Sequence, residues 1–284
     1  MKTCAICNST KIKLKFKLIH NVYACKSCGF QFAPDASFNN TYISDLDEVS
    51  RQKSLKNLRL LNFLKIIDNL KKHLNADANG LEVGSAHAWF LQLCKENNIN
   101  CIGIEPEKRF NSLHEEMELT VINGFFPDDI PENQKFDFVA FNDVFEHLPD
   151  IEKVLPNILS LLNPKGKLLV NLPIREGAVY RVSSLAYFLG IKSFINRMWQ
   201  FNFHSPHLSY FSKKNLLALA KNNDFEILEA FSLKTLDIKE IKHRISLDAN
   251  QNKIKRVLTI FATYLTLPLF RFFPDTFCFI FEKR

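Results

Sequence analysis

Apolar and polar positions along the chain fall into three regimes. Residues 11–18 read Lys-Ile-Lys-Leu-Lys-Phe-Lys-Leu, a strict alternation that predicts a strand with one buried and one wet face. Leu55, Leu58, Leu61, Phe63, Leu64, Ile67 and Leu70 then recur at helical spacing with lysines opposite, which predicts an amphipathic helix docked on the domain C-terminal to it. From residue 80 onward, short apolar runs alternate with helical patterns. Strands are expected at 81–83, 101–104, 121–122, 136–141 and 167–171, the last entered through Asn163-Pro164-Lys165-Gly166, with a helix over 90–95. Such alternation predicts an α/β fold, a parallel sheet with helices on both faces. Its ligand site belongs at the carboxyl ends of the strands, near the point where the strand order reverses. Residues 34–50 are polar and aperiodic and read as a linker, so the expected organisation is 1–33, a linker over 34–50, and a domain over 51–284.

Composition adds bounds. With 284 residues, 46% hydrophobic and 24% charged, the chain is globular rather than disordered. Its 27 Phe are spread along the chain and read as core filling. The start, Met1-Lys2-Thr3-Cys4-Ala5, has no apolar leader, and the longest charge-free apolar run, 257–270, is shorter than the roughly 18–20 residues of a membrane span. A cytoplasmic location is the resulting expectation. The net charge is +7, and residues 234–284 carry ten Lys/Arg against five Asp/Glu. That excess suits a solvated basic face, and equally nucleic acid, an anionic membrane or phosphate-bearing substrates. Lys253-Ile254-Lys255-Arg256 followed by 257–270 reads as a buried helix crossing to the last strand, with peripheral membrane contact through this C-terminal helix as the alternative.

Four of the seven cysteines, Cys4, Cys7, Cys25 and Cys28, form C-x2-C-x17-C-x2-C. This spacing turns two pairs of thiolates toward one ion, as in a structural zinc ribbon. Asn8 and Gly29 follow the two knuckles, and both residue types accept the positive φ of a tight turn. Two disulfides are the competing reading, and nothing else in the chain points to an oxidising compartment. Cys94, Cys101 and Cys278 lie in apolar segments and read as core.

The expected strand ends carry suggestive chemistry. Glu82-Val83-Gly84-Ser85-Ala86-His87-Ala88 follows the first strand and Glu105-Pro106 the second, an acid about 20 residues beyond the glycine turn, as ribose hydroxyls require. Asn123-Gly124-Phe125-Phe126-Pro127-Asp128 follows the third, and Asn142-Asp143-Val144-Phe145-Glu146-His147-Leu148-Pro149 the fourth.

This ordered set, with Leu161-Leu162-Asn163-Pro164-Lys165-Gly166-Lys167, resembles the class I S-adenosylmethionine (SAM)-dependent methyltransferases over about residues 50–235. The resemblance implies a Rossmann-like sheet of seven strands, the last antiparallel, with 225–233 and 276–281 as the final two. It also implies that Glu82, Gly84, Ser85, Ala86 and His87 line the methionine side of SAM, and that Glu105, with Pro106, takes the ribose. Gly124 and Phe125 would lie on the adenine side. Asn142, Asp143, Val144 and His147 would lie beneath the sulfonium. Asp143, Glu146 and His147 also have a spacing that binds a divalent ion in some methyltransferases, and packing on the cofactor side is the role read here. The family usually has glycines where Ala86 and Ala88 stand.

The paired cysteine knuckles and the run His204-Ser205-Pro206-His207-Leu208-Ser209-Tyr210-Phe211-Ser212 are similar to those of sugar C-methyltransferases and surface-polysaccharide methyltransferases. That likeness implies a saccharide or nucleotide-sugar acceptor, with His207 as general base and His204 and Tyr210 beside the acceptor. Here Pro206 and Ser205 replace two residues of the family run, and O-methylation is as well supported as C-methylation. Arg175, Tyr180 and Arg181 follow the fifth strand, where the family inserts substrate elements; the arginines suit a substrate phosphate and equally a solvated surface. An RNA methyltransferase is the alternative, although the chain has no interleaved basic-aromatic motif and nucleic acid is not the expected partner. A non-catalytic scaffold is the other alternative, prompted by Ala86 and Ala88. The oligomeric state is open.

Overall fold

The computed structural model describes residues 3–37, 48–201, 203–236, 257, 269–270 and 272–284. They hold strands β1 (Ile12–Phe16), β2 (Val22–Cys25), β3 (Gln31–Phe32), β4 (Asn79–Val83), β5 (Asn100–Glu105), β6 (Val121–Asn123), β7 (Phe136–Asn142), β8 (Leu162–Pro173), β9 (Ser209–Tyr210), β10 (Phe225–Leu233) and β11 (Thr276–Lys283). The helices are α1 (Glu48–Leu70), α2 (Trp89–Glu96), α3 (Asn111–Glu116), α4 (Ile151–Leu161), α5 (Ala178–Phe188), α6 (Ser193–Met198) and α7 (Lys213–Lys221). No helix among the described residues is long and apolar enough to cross a membrane. The basic-apolar segment read as a C-terminal helix lies largely outside the described residues.

The chain divides into two compact units. The first comprises Met1–Arg59, Pro173–Lys213 and Ser232–Thr276, and the second Leu60–Leu172, Lys214–Phe231 and Phe277–Arg284.

The second unit is built on a seven-stranded sheet in the order β10-β11-β8-β7-β4-β5-β6. β4 pairs in parallel with both β5 and β7, β5 with β6, and β7 with β8. The central strands are continuous apolar runs because both of their faces are buried: Phe138, Val139, Ala140 and Phe141 on β7, Leu168, Leu169 and Val170 on β8. After β6 the chain returns to the other side of β4 to make β7. The strand order therefore reverses at β4, and open α/β sheets bind their ligands outside the carboxyl ends of the strands at such a reversal, here β4, β5 and β7. The expected strands are present. β8 begins at Leu162 rather than 167, because Leu162 already pairs with Phe136 and the register then shifts before Phe138 meets Lys167. α1 begins at Glu48, inside the polar stretch read as a linker. Of its expected apolar face, Leu58, Phe63, Ile67 and Leu70 are buried with Ile66, while Leu61 and Leu64 are exposed.

The first unit has a four-stranded sheet in the order β1-β2-β3-β9. β2 pairs antiparallel with β1 and β3, and β3 with β9, Gln31 opposite Tyr210. The cysteine-bearing segment thus shares its sheet with a strand some 180 residues later. Its core gathers Phe16 and Val22 with Tyr180 of α5, Ile195 of α6, Trp199 and Tyr210. α5 starts against a remote cap: Asp275 Oδ1 accepts the Val179 N–H at 2.7 Å.

Candidate active site and metal centre

At the end of β4 the chain must turn sharply into α2. Gly84 takes φ 72°, and a Cβ there would lie 2.7 Å from Cγ2 of Val144. Only glycine permits both the left-handed backbone and the close approach. Ala86 and Ala88, where glycines were expected, also adopt positive φ, 42° and 54°. The alanines therefore keep the glycine-like loop path at a cost of about 1–2 kcal/mol each.

Glu105, at the end of β5, is the electrostatic centre of this loop. Its Oε2 accepts the Ala86 N–H at 2.8 Å and its Oε1 accepts the Glu107 N–H at 2.9 Å. Burial raises its pKa, opposed by these two backbone donors. His114 of α3 is a residue that sequence reasoning missed: its buried ring N–H donates to the Ala86 carbonyl at 2.7 Å. A lone His on a six-residue helix gives no periodic signal. His87 stacks on Trp89, with centroids 4.8 Å apart, and contacts Phe110 at the same separation.

At the end of β7, Asn142 Nδ2 donates to Glu82 Oε1 at 2.9 Å. Asp143 has φ 56°, and its N–H donates to the Asn171 carbonyl at 2.9 Å. Val144 faces Gly84, and His147 closes a short turn onto the Val144 carbonyl at 2.9 Å. Ser85 Oγ and Asn142 Oδ1 are buried without a hydrogen-bond partner. After β6, the Gly124 N–H donates to the Glu105 carbonyl, and the Phe125 N–H to Asp129 Oδ2. The Phe125 ring is 65% exposed, Pro106 is exposed, and Phe126 packs edge-on against Phe141 at 5.5 Å. The structure thus brings Glu82 to Asn142, Gly84 to Val144, and Ala86 and Gly124 to Glu105.

In the first unit, His207 and Tyr210 are buried with ring centroids 5.6 Å apart, while His204 is exposed. His207 Nε2 lies 2.8 Å from Nε2 of Gln200, a second residue missed by sequence reasoning, held at φ 53°. Tyr180 is buried, its hydroxyl donates to Gln31 Oε1, and burial raises its pKa. Arg175 is committed to the cysteine knuckle: its Nη1 donates to the Gly29 carbonyl at 2.6 Å. Arg181 donates to the Glu176 carbonyl and lies over the Phe273 ring.

The four N-terminal cysteines converge without disulfide bonds, and their sulfurs all lie within 4.8 Å of one another. Cys4 and Cys28 sulfurs are 3.5 Å apart, and those of Cys7 and Cys25 are 3.6 Å apart. Asn8 and Gly29 take φ 55° and 73°, as the knuckle turns require. Burial raises the Cys25 pKa, but the backbone donors from Cys28 and Ser27 and the thiols of Cys7 and Cys28 together outweigh it and bring the thiol to about 6. The arrangement can hold a metal ion. Cys94 and Cys278 are buried core residues, and burial pushes the thiols of Cys101 and Cys278 well up.

The fold is similar to that of a SAM-dependent methyltransferase from Thermotoga maritima at 16% identity and a TM-score of 0.55, covering 84% of this chain and 95% of that one. A SAM-dependent methyltransferase from Archaeoglobus fulgidus matches at 18% identity and a TM-score of 0.50, covering 83% and 99%. The cyclase SpnF matches at 16% and 0.51, covering 77% and 80%. At these identities the likeness shows the fold alone, and the cyclase shows why a fold does not fix a reaction. No curated protein matches the chain. The methyltransferase domain family matches residues 52–230, which is more than half of the chain and includes the loop after β4, Glu105 and the end of β7. The chain belongs to this methyltransferase family.

Proposed function

We propose that this methyltransferase takes its methyl group from SAM and passes it to a small-molecule acceptor, a saccharide or nucleotide sugar. Glu105 carries the cofactor half of the reading. Each of its carboxylate oxygens accepts one backbone N–H. A carboxylate offers about four lone-pair sites, so roughly two remain for the vicinal hydroxyls of a ribose. The unsatisfied buried Ser85 Oγ and Asn142 Oδ1 fit a polar ligand at the same strand ends, since such atoms are costly unless something satisfies them. In this reading, Gly84, Ser85, Ala86 and His87 border the methionine part with Glu82. Gly124 and Phe125 border the adenine, and Asn142, Asp143, Val144 and His147 lie beneath the sulfonium. When bound, SAM supplies a methyl group on an electrophilic sulfonium carbon. The chain's own contribution is to fix the approach of an acceptor along the line of displacement.

His207 is the proposed proton acceptor for the nucleophile, with His204 and Tyr210 beside the acceptor. Its side-chain type titrates near neutral pH, and it stands in the His204 to Ser212 run. Gln200 turns its amide nitrogen toward His207 Nε2, so that nitrogen is now an acceptor. To take up a proton there, Nε2 must exchange the Gln200 amide for the acceptor hydroxyl, which then passes its proton to the ring as its oxygen attacks the methyl carbon.

The saccharide half rests on that run and on the paired knuckles. Zinc is the proposed ion there. Thiolates at about 2.3 Å from zinc in a tetrahedron lie about 3.8 Å apart, close to the sulfur separations found. A reducing, cytoplasmic setting keeps the thiols available. The experiment is an acceptor screen with methyl-labelled SAM against nucleotide sugars, monosaccharides and RNA. Label in a sugar supports the proposal. Label in RNA alone, or in no acceptor, contradicts it.

A further inference from the structure

We propose that the corner between α5 and α6 is a docking surface for an anionic lipid bilayer, independent of the methyl-transfer reading. These helices already meet their burial requirement on the inner side, where Tyr180, Ile195 and Trp199 join the core of the first unit. Yet the outer side is also apolar. Leu185, Phe188, Leu189 and Phe194 are 64%, 62%, 73% and 52% exposed, and Ile191 is 47% exposed. A soluble helix normally turns polar residues to that side, and a cluster of bulky exposed side chains marks an interaction surface.

Gly190 turns the chain at φ 89°, and a Cβ built there meets nothing within 4 Å. An apolar turn that faces open space is available for insertion into a deformable interface.

Charge selects the partner. Between Gly177 and Phe201 the chain has no Asp or Glu, but has Arg181, Lys192 and Arg197. Lys15 of β1 adds to them, its Nζ lying 5.2 Å from the centre of the Phe188 ring. The Lys17 N–H donates to the Tyr187 hydroxyl at 2.9 Å, so the basic edge strand adjoins the same corner. An apolar tip with a cationic collar matches the acyl boundary and the phosphates of an anionic leaflet. A second copy is a poorer fit, because a two-fold contact sets each collar against its own image.

The test is flotation of the full chain with phosphatidylcholine vesicles, with and without about a third phosphatidylglycerol, at low and physiological salt. The expected result is capture by the anionic vesicles, weakened by salt, with little capture by neutral ones. Phe188→Ser/Leu189→Ser should lower partitioning by about tenfold or more with an unchanged circular-dichroism spectrum, since both side chains are exposed. Lys15→Gln/Lys192→Gln should lower anionic capture while leaving neutral capture as it was. No capture, equal capture by both vesicle types, or full capture of the Phe188/Leu189 variant would overturn the proposal. So would a concentration-dependent dimer that this variant abolishes, which would make the corner a self-interface.

Discussion

Gly84→Ala is the sharpest perturbation of the loop that shapes the proposed cofactor site. An alanine there must adopt φ 72°, which costs about 1–2 kcal/mol for an L-residue. Its Cβ would also sit 2.7 Å from Val144 Cγ2, well inside ordinary carbon contact, and overpacking of this kind costs about 1–3 kcal/mol. The reduced freedom of the unfolded chain returns about 0.4–1 kcal/mol. The expected net loss is about 2–3 kcal/mol, on the order of the combined terms. Val144→Ala removes the methyl that clashes, so the two changes should be strongly coupled. Urea denaturation of both single variants and the double should show a double that is less destabilised than the sum, by about 1–2 kcal/mol. Additive effects, within about 0.5 kcal/mol, would refute the contact between the β4 loop and the start of the β7 loop. Loosening of SAM affinity in Gly84→Ala, partly restored by Val144→Ala, would tie this packing to function.

Three further outcomes are expected. Elemental analysis should find about one zinc per chain, lost in Cys25→Ala together with order in the N-terminal sheet; a folded, metal-free wild type would contradict the zinc assignment. Burial raises the Asp275 pKa from 3.8 to about 6, despite the Val179 and Tyr180 backbone donors. Stability from this group is therefore fully present below the unfolded value and lost as pH rises through about 6, and Asp275→Asn should flatten the stability profile between about pH 4 and 6. His207→Ala should leave SAM affinity nearly unchanged and lower turnover by roughly 10²–10⁴ with the acceptor found by screening; wild-type turnover would remove His207 from the proton transfer.

Much of this molecule can be read from local sequence. The apolar runs of β4, β5, β7 and β8 announce buried parallel strands, and C-x2-C with Asn8 and Gly29 announces the knuckles, because each signal lies within a few residues. What escapes is non-local. Two-residue strands such as β3 and β9 carry no period, so nothing in the chain tells Gln31 that it will face Tyr210. Asp275 caps a helix that begins almost 100 residues earlier, and Arg175 reaches back to the Gly29 carbonyl. Leu61 and Leu64 of α1 show that helical spacing can widen an apolar face beyond what packing uses. The departure at Ala86 and Ala88 is legible as residue types, but only the backbone shows that the loop keeps its left-handed turns.

The central claim is that the ends of β4, β5 and β7 form a SAM site organised by Glu105, and calorimetric titration of SAM into the wild type and Glu105→Ala tests it most directly. The wild type should give a saturable single-site isotherm. The variant should lose charge-assisted hydrogen bonds worth on the order of 1.5–3 kcal/mol, which is a roughly 10- to 150-fold weaker Kd, while remaining folded. Absence of binding in the wild type, or equal affinity in the folded variant, would contradict the account.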